Sequence, residues 1–255
     1  MDIQNKNQWN EAFIKACKKG EIEDVRHLCQ KQYLAKGWAD IHFCDELGFY
    51  WACNNGHLKI VKYLLTSPEL IEAGHTFANL HAKNELGLRW ACAKGHLEVV
   101  KYLLTSPELK EAGHSFADLH ADREEGFRWA CADGHLDIVK YLLTSKELKE
   151  AGHFFADLYA NDEQGFRWAC QKGQLDVVKY LLTSQELIEA GHTFADVHAN
   201  KEEVFRMACN LEHWNVVRWL VLDYGIEKTP DIEKIIQKYP QAQEYFRVRE
   251  ELKEI

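Results

Sequence analysis

Residues 127–143, with the sequence FRWACADGHLDIVKYLL, decide the fold of this 255-residue chain. Phe127 to Asp133 predict a short helix, and Gly134 ends it because glycine tolerates the positive φ common just past helix C-termini. The residues that follow predict a second helix, because apolar side chains recur at positions i, i+3, i+6 and i+7. These are Leu136, Val139, Leu142 and Leu143. The stretch therefore predicts a pair of short helices joined by a tight turn.

The same stretch recurs along the chain, which indicates a tandem repeat. The tripeptide Gly134-His135-Leu136 is also found as Gly56-His57-Leu58 and Gly95-His96-Leu97, and as Gly173-Gln174-Leu175, always 39 residues apart. Residues 56–94 and 95–133 are identical at 29 of 39 positions. One unit cannot bury its own apolar face, so neighbouring units are expected to stack.

A third element follows the helix pair in each unit. In Ser106-Pro107-Glu108-Leu109, the serine suits a helix N-cap and the proline suits the first helical position. Gly113 is expected to end this helix after about two turns. Residues 114–124 then predict an irregular finger.

The helix pair resembles the second half of an ankyrin repeat. Residues 130–143 match its small-residue, Gly-His-Leu and Leu-Leu positions, and residues 117–121 (ADLHA) resemble the end of an ankyrin unit. Two features differ, since the unit has 39 residues rather than 33 and the Thr-Pro-Leu-His motif is replaced, as at residues 125–128. The resemblance implies an all-α, ankyrin-like helical repeat solenoid with an extra short helix per repeat. Long units of this kind are similar to ankyrin proteins of intracellular bacteria and of large viruses of protists.

The expected domain organisation is a repeat array over residues 1–222 and a helical C-terminal cap over residues 223–255. The array begins with an N-terminal capping unit at residues 9–47 and continues in units of about 39 residues. Two helices, at residues 231–238 and 241–255, are expected to form the C-terminal cap, because a repeat array needs polar ends.

Composition excludes several classes of function. The chain carries 31 Lys and Arg against 40 Asp and Glu, a formal charge of −9, which disfavours binding to nucleic acid or anionic lipid. No apolar run approaches the ~20 residues that span a bilayer, and residues 1–10 lack the pattern of a signal peptide. A cytoplasmic, monomeric protein is therefore expected, or one delivered into a host cytoplasm.

Cysteine and histidine recur in columns that predict packing rather than chemistry. Six cysteines share one position of the first helix: Cys17, Cys53, Cys92, Cys131, Cys170 and Cys209. Stacked helices lie ~8–10 Å apart, too far for disulfides, so these cysteines are expected to be buried and free. Cys29 and Cys44 lie off this column, and a reactive thiol there stays open. Two histidine columns are expected to bond loop backbone and to hold no metal: His75, His114, His153 and His192, and His81, His120 and His198.

Two further columns bear on binding. Trp51, Trp90, Trp129 and Trp168 either stack between units or present an aromatic stripe to a partner. Arginines at Arg89, Arg128, Arg167 and Arg206 each follow a glutamate four positions earlier, an order that predicts i, i+4 ion pairs, although pairing with acids of the finger such as Asp118 is the alternative.

A few columns vary while the rest of the unit is nearly constant, and they match the surface through which ankyrin proteins generally bind. The candidate partner-binding residues lie on the finger, at the end of the first helix and on the tryptophan column. They are Asn54, Asn55, Lys83, Asn84, Trp90, Lys94, Asp122, Arg123, Trp129, Asp133, Asn161, Asp162, Gln171 and Lys172. Neutral drift of solvated positions is the alternative explanation.

The resemblance implies a non-catalytic protein–protein interaction module with a rigid concave surface, and its narrower form is a host-directed adaptor or effector. No catalytic residue, cofactor or metal is expected, and the partner is expected to be a protein. Two alternatives stay open: an engineered or consensus-like repeat scaffold with no natural ligand, and an enzyme with a covert cysteine site.

Overall fold

The computed structural model describes residues 6–30 and 39–253, and within them every regular element is a helix. Each repeat unit contributes a first and a second helix. The first helices are α1 (Lys6–Lys19), α3 (Phe43–Asn54), α6 (Ala82–Ala93), α9 (Ala121–Asp133), α12 (Ala160–Gln171) and α15 (Ala199–Asn210). The second helices are α2 (Ile22–Cys29), α4 (Leu58–Thr66), α7 (Leu97–Thr105), α10 (Leu136–Thr144), α13 (Leu175–Thr183) and α16 (Trp214–Trp219).

Among the residues that the structure describes, the predicted short third helix is present in four repeats. It forms α5 (Pro68–Glu72), α8 (Pro107–Glu111), α11 (Lys146–Ala151) and α14 (Gln185–Ala190). Pro68 and Pro107 stand at the start of their helices as predicted, because a proline lacks only an N–H that would be unpaired there anyway.

The C-terminal end is also helical, as expected. A π-helical segment, Leu220–Tyr224, extends α16 and is followed by α17 (Pro230–Ile236) and α18 (Pro240–Lys253). Phe246 of α18 packs on Phe205 of the last repeat, with ring centroids 6.1 Å apart. Residues 31–38 of the predicted capping unit and residues 254–255 of the predicted last helix lie outside the described residues. The boundary predicted at residue 222 stays a prediction.

The chain divides into two compact units. The first unit comprises Met1–Phe127 and Ser145–Ala156, and the second comprises Arg128–Thr144 and Asp157–Ile255. In each unit the core consists of the apolar stripes of the helix pairs. Phe49 and Phe166, at the same position of the first helix, are both 0% exposed.

The cysteine column is buried, as predicted. Its six members are free thiols with at most 1% of their surface exposed. Burial raises the pKa of Cys92 to about 12, so this thiol stays protonated near neutral pH. These cysteines therefore act as small apolar residues of the core.

Candidate functional site

Within each compact unit, the histidine at the Gly-His-Leu position of one repeat contacts the end of the first helix of the preceding repeat. In the first compact unit, Nε2 of the His96 ring donates to the carbonyl of Asn54 in the preceding repeat, at 2.8 Å. The same ring lies against Gly56, where a Cβ would come 2.5 Å from His96 Nδ1 and where φ is +71°. The glycine is thus required both by its backbone conformation and by the ring beside it. We call this arrangement the Gly–His contact.

The second unit repeats this contact with a natural substitution. His213 donates to the carbonyl of Gln171 at 2.7 Å, and a Cβ at Gly173 would lie 2.6 Å from His213 Nδ1. Gln174 occupies the histidine position one repeat earlier, and its Nε2 donates to the carbonyl of Ala132 at 3.1 Å. A side-chain amide can therefore replace the imidazole.

The histidine column that begins at His75 bonds loop backbone, as predicted. His75, His114 and His153 donate from Nε2 to the carbonyls of Cys29, Leu65 and Leu104 at 2.9, 2.7 and 2.7 Å, and His192 donates to Leu143 at 2.8 Å. Burial lowers the pKa of His75 below its ordinary value of 6.5. The neutral imidazole is the form that this position favours.

The other predicted histidine column, of His81, His120 and His198, does not bond backbone as predicted. His81 and His120 instead pair through Nδ1 with the carboxylates of Glu85 and Glu124, at 2.6 and 2.5 Å. His42 and His198 make the same pair with Glu46 and Glu202. These glutamates are 4–5% exposed, and a buried carboxylate requires a partner of this kind.

The glutamates stand in a backbone conformation that sequence reasoning missed. Each first helix from α3 onward in the array begins with three successive residues of positive φ, such as Lys83 (49°), Asn84 (56°) and Glu85 (61°) in α6. We call these segments the left-handed turns. They recur at residues 44–46, 122–124, 161–163 and 200–202. An L-residue in this region costs about 1–2 kcal/mol, so the contacts of the glutamate must offset a substantial strain.

The glutamates of the left-handed turns also bond the element that follows. Glu163 accepts from the backbone N–H of Asp196 in the next unit, at 3.0 and 3.3 Å. Glu202, in the last repeat, instead accepts from the hydroxyl of Thr229 at 2.8 Å. Thr229 is the N-cap of α17, and its Oγ1 accepts from the Ile232 N–H at 3.2 Å. The C-terminal helices thus supply a contact that a further repeat would otherwise make.

The predicted i, i+4 pairs between glutamate and arginine are wrong at Arg89. Because Glu85 has a φ of 61°, it lies outside the right-handed helix and does not share a helical face with Arg89. Arg89 pairs instead with Asp122 at 2.7 Å and Glu125 at 2.9 Å in the next repeat, so the alternative of pairing with an acid of the finger is confirmed here, through Asp122 and not through the example Asp118. In the second unit, Arg167 lies 3.5 Å from Glu203 in the same way.

The tryptophan column both stacks and remains accessible. Trp51 and Trp90 meet edge to face with centroids 5.9 Å apart, and Trp129 and Trp168 are 5.4 Å apart. Even so, Trp90 is 37% exposed and Trp129 is 39% exposed. The ammonium of Lys18 lies 4.1 Å from the ring centroid of Trp51, a cation–π contact.

The charged candidates of the variable columns are mostly exposed. Lys94, Arg123, Asp133 and Lys172 are solvent-exposed, as are Lys83, Asn84, Asp122 and Asp162. Three others, Asn55, Asn161 and Gln171, are half-buried. Asn54 is only 9% exposed and donates to the Asn55 side chain at 3.2 Å, so its surface is largely inaccessible. The assignment of this set to a partner stays a prediction.

The two cysteines off the main column differ from each other. Cys29 is 0% exposed, and burial raises its pKa to about 12, which disfavours the nucleophilic thiolate. Cys44 is exposed and opens a left-handed turn, with a φ of 54°. Among the residues that the structure describes, no three His, Cys, Asp or Glu side chains form a group that could hold a metal ion.

Comparison with known families supports the resemblance to ankyrin repeats. The model for ankyrin repeats (3 copies) matches residues 49–151, 88–191 and 127–231, which together cover most of the chain. No curated protein matches the sequence. Within residues 6–30 and 39–253, no helix combines the length and apolar character needed to cross a bilayer.

Proposed function

Since the chain belongs to the ankyrin repeat family, whose members generally mediate protein–protein interactions, we propose that it is a non-catalytic module that binds a protein partner. The observation that carries the proposal is the exposure of two tryptophans beside the variable charged positions. Trp90 lies four residues before exposed Lys94, the residue that caps the C-terminus of α6. Trp129 lies four residues before exposed Asp133, the last residue of α9. Large exposed aromatic side chains are typical of binding anchors.

The variable charges would supply specificity around these anchors. Lys94 and Arg123 belong to the first unit, and Asp133 and Lys172 belong to the second. They lie at positions where the repeats differ, although the surrounding scaffold positions are nearly constant. Rim charges of this kind select among partners more than they add affinity.

A host-directed adaptor is the narrower form of this proposal. It rests on the likeness of the long units to ankyrin proteins of intracellular bacteria and large viruses of protists. A cytoplasmic location and a monomeric state are part of the same proposal; the compartment from which the partner comes tests the first, and sedimentation of the purified chain tests the second.

A quantitative affinity pull-down from bacterial and eukaryotic lysates tests the proposal. The baits are the wild type, Lys94→Ala/Arg123→Ala, and Asp133→Ala/Lys172→Ala. A matched control is Glu98→Ala/Asp176→Ala, which removes two exposed charges from the second helices. We expect a protein that the wild type and the control retain and that at least one of the other variants loses. A partner retained equally by every bait would contradict the proposed surface.

The thiol alternative is tested separately. An alkylating probe should label exposed Cys44 rapidly and leave Cys29 and the buried column unmodified under native conditions. Rapid labelling of Cys29 would instead favour a reactive thiol and count against the non-catalytic proposal.

A further inference from the structure

The short third helices form a groove that the paired helices of the ankyrin unit do not account for. In the first unit, α5 and α8 border a cavity of about 730 Å³, a size typical of ligand sites, which generally measure about 300–1,000 Å³. Ile71, Phe77 and Ala112 contribute its apolar surface. We call it the short-helix groove.

Ile71 is exposed although the fold does not require an apolar residue there. Its side chain is 50% exposed, and the equivalent position carries Lys110 and Lys149 in the next two repeats. The short helices are anchored instead by buried leucines, Leu70 in α5 and Leu109 in α8, which are each 0% exposed. The packing of α5 therefore does not depend on Ile71. An exposed apolar side chain that the fold does not need is typical of a contact with a partner.

The rim of the short-helix groove is acidic. Glu72, Glu108 and Glu111 line it, and the lining includes no lysine or arginine. The ammonium of Lys62, on α4, lies 3.1 Å from the carboxylate of Glu108 and pairs with it, although Lys62 does not line the groove. Lys110, the nearest lysine on α8, is turned to the Phe116 ring, whose centroid is 4.3 Å from its ammonium. Glu72 and Glu111 are left to face an incoming ligand.

We propose that the short-helix groove binds a cationic segment of a partner protein, with an apolar side chain against Ile71 and Phe77 and flanking lysines or arginines against Glu72 and Glu111. Charge complementarity selects this occupant, since like charges across an interface oppose binding. A second copy of the chain is disfavoured, because a two-fold contact through this groove would bring carboxylates together. The site is independent of the tryptophan surface.

Binding of a defined peptide tests the proposal. The probe is a fluorescein-labelled peptide of alternating residues, Lys-Leu-Lys-Phe-Lys-Leu, followed by fluorescence anisotropy at low salt. Its charge-reversed counterpart, Glu-Leu-Glu-Phe-Glu-Leu, controls for apolar adhesion. We expect saturable binding of the cationic peptide and no binding of the acidic one.

Matched variants locate the site. Ile71→Lys should weaken binding about tenfold or more, as loss of a central contact does. It should fold normally because lysine is the natural residue at this position in the next two repeats. Ile188→Lys makes the identical change in α14 and should alter affinity less than about twofold, as expected for a residue outside the contact. Glu72→Gln/Glu111→Gln should weaken binding and reduce its salt dependence, whereas Glu150→Gln/Glu189→Gln should not.

Four results would overturn the proposal. They are no binding of the cationic peptide below about 1 mM, equal weakening by Ile71→Lys and Ile188→Lys, equal binding of the acidic peptide, and self-association by sedimentation that Ile71→Lys abolishes. The last result would assign the groove to a second copy of the chain.

Discussion

The Gly–His contacts and the left-handed turns both join neighbouring repeats, and both use backbone of positive φ. At the Gly–His contact, glycine is retained because a side chain would strike the ring of the next unit. At the left-handed turns, the first two positions vary freely in chemistry, as in Lys83-Asn84, Asp122-Arg123 and Asn161-Asp162.

The last repeat explains the difference. Glu212 replaces the glycine there and still adopts a φ of 59°. Residues 214–255 contain no further Gly-His-Leu tripeptide and no histidine, so none of them places an imidazole ring against Glu212 as His96 does against Gly56. A φ near 60° is thus tolerated by other residues in this chain, and at the Gly–His contact the ring adds a second constraint to that of the backbone conformation. Constancy at the Gly–His contact therefore reports contact between repeats, whereas constant Gly113, Gly152 and Gly191, with φ of +89° to +96° and no neighbour within 4 Å, report backbone conformation alone.

The largest expected effect is on the glycine of a Gly–His contact. Gly56→Ala should lower the free energy of unfolding by about 2–4 kcal/mol, because overpacking against His96 adds to the cost of positive φ. Gly113→Ala is the matched control, with a φ of +89° and nothing within 4 Å of the added Cβ. It should cost only about 1–2 kcal/mol. Urea unfolding of both variants checks this, and equal losses would contradict the role of the ring.

The next effect separates the hydrogen bond from the ring. His96→Ala should cost about 1–2 kcal/mol, because the Asn54 carbonyl loses its side-chain donor. His96→Gln should recover most of this loss, since Gln174 makes the equivalent bond in the second unit. Thermal unfolding of the wild type, His96→Ala and His96→Gln measures how much of the lost stability glutamine restores. A glutamine variant as unstable as the alanine variant would show that imidazole packing, and not donation, is what matters.

The left-handed turns should respond to glycine in the opposite sense to a helix. Lys201 has a φ of 56°, so Lys201→Gly should raise the free energy of unfolding by about 0.5–1 kcal/mol. Lys179→Gly, inside the right-handed helix α13, should lower it by about 1 kcal/mol. Urea titrations measure both changes. A loss at both positions would contradict the left-handed turn.

The smallest effect is a pH dependence at His75, one of the histidines that bond backbone. The folded chain holds the pKa of His75 below 6.5, so the unfolded chain binds more protons as the pH falls through 6.5 towards the folded pKa. The stability contributed by this group is present above pH 6.5 and is lost as the pH falls through that window. His75→Gln should flatten the slope of stability against pH below pH 6.5, and an unchanged slope would contradict the assignment.

Most of the fold follows from residue periodicity, and the rest does not for a physical reason. The helix pairs, the third helix at Pro107 and the buried cysteines were predictable because each has a local or periodic signal. The left-handed turns carry no glycine at their positive-φ positions, so no sequence rule indicates them. The burial of Glu85 was hidden for the same reason, because a glutamate four residues before an arginine ordinarily indicates a surface pair.

The candidate site was predictable only in part. The variable columns and the tryptophan positions can be read from the repeats, whereas the exposure of Trp90 and the burial of Asn54 depend on how units stack. The short-helix groove arises only when α5 and α8 lie side by side, and the sequence gives no sign of it, because the column of Ile71 carries isoleucine in two repeats and lysine in the other two.

The most direct test of the account compares partner capture by two kinds of variant in one pull-down. His96→Ala changes a contact between repeats, and Lys94→Ala/Arg123→Ala changes the variable positions of the same unit. At a temperature where both variants are folded, we expect His96→Ala to retain the partner and Lys94→Ala/Arg123→Ala to lose it. Loss of the partner by His96→Ala alone would contradict the division between columns that hold the repeats together and columns that bind.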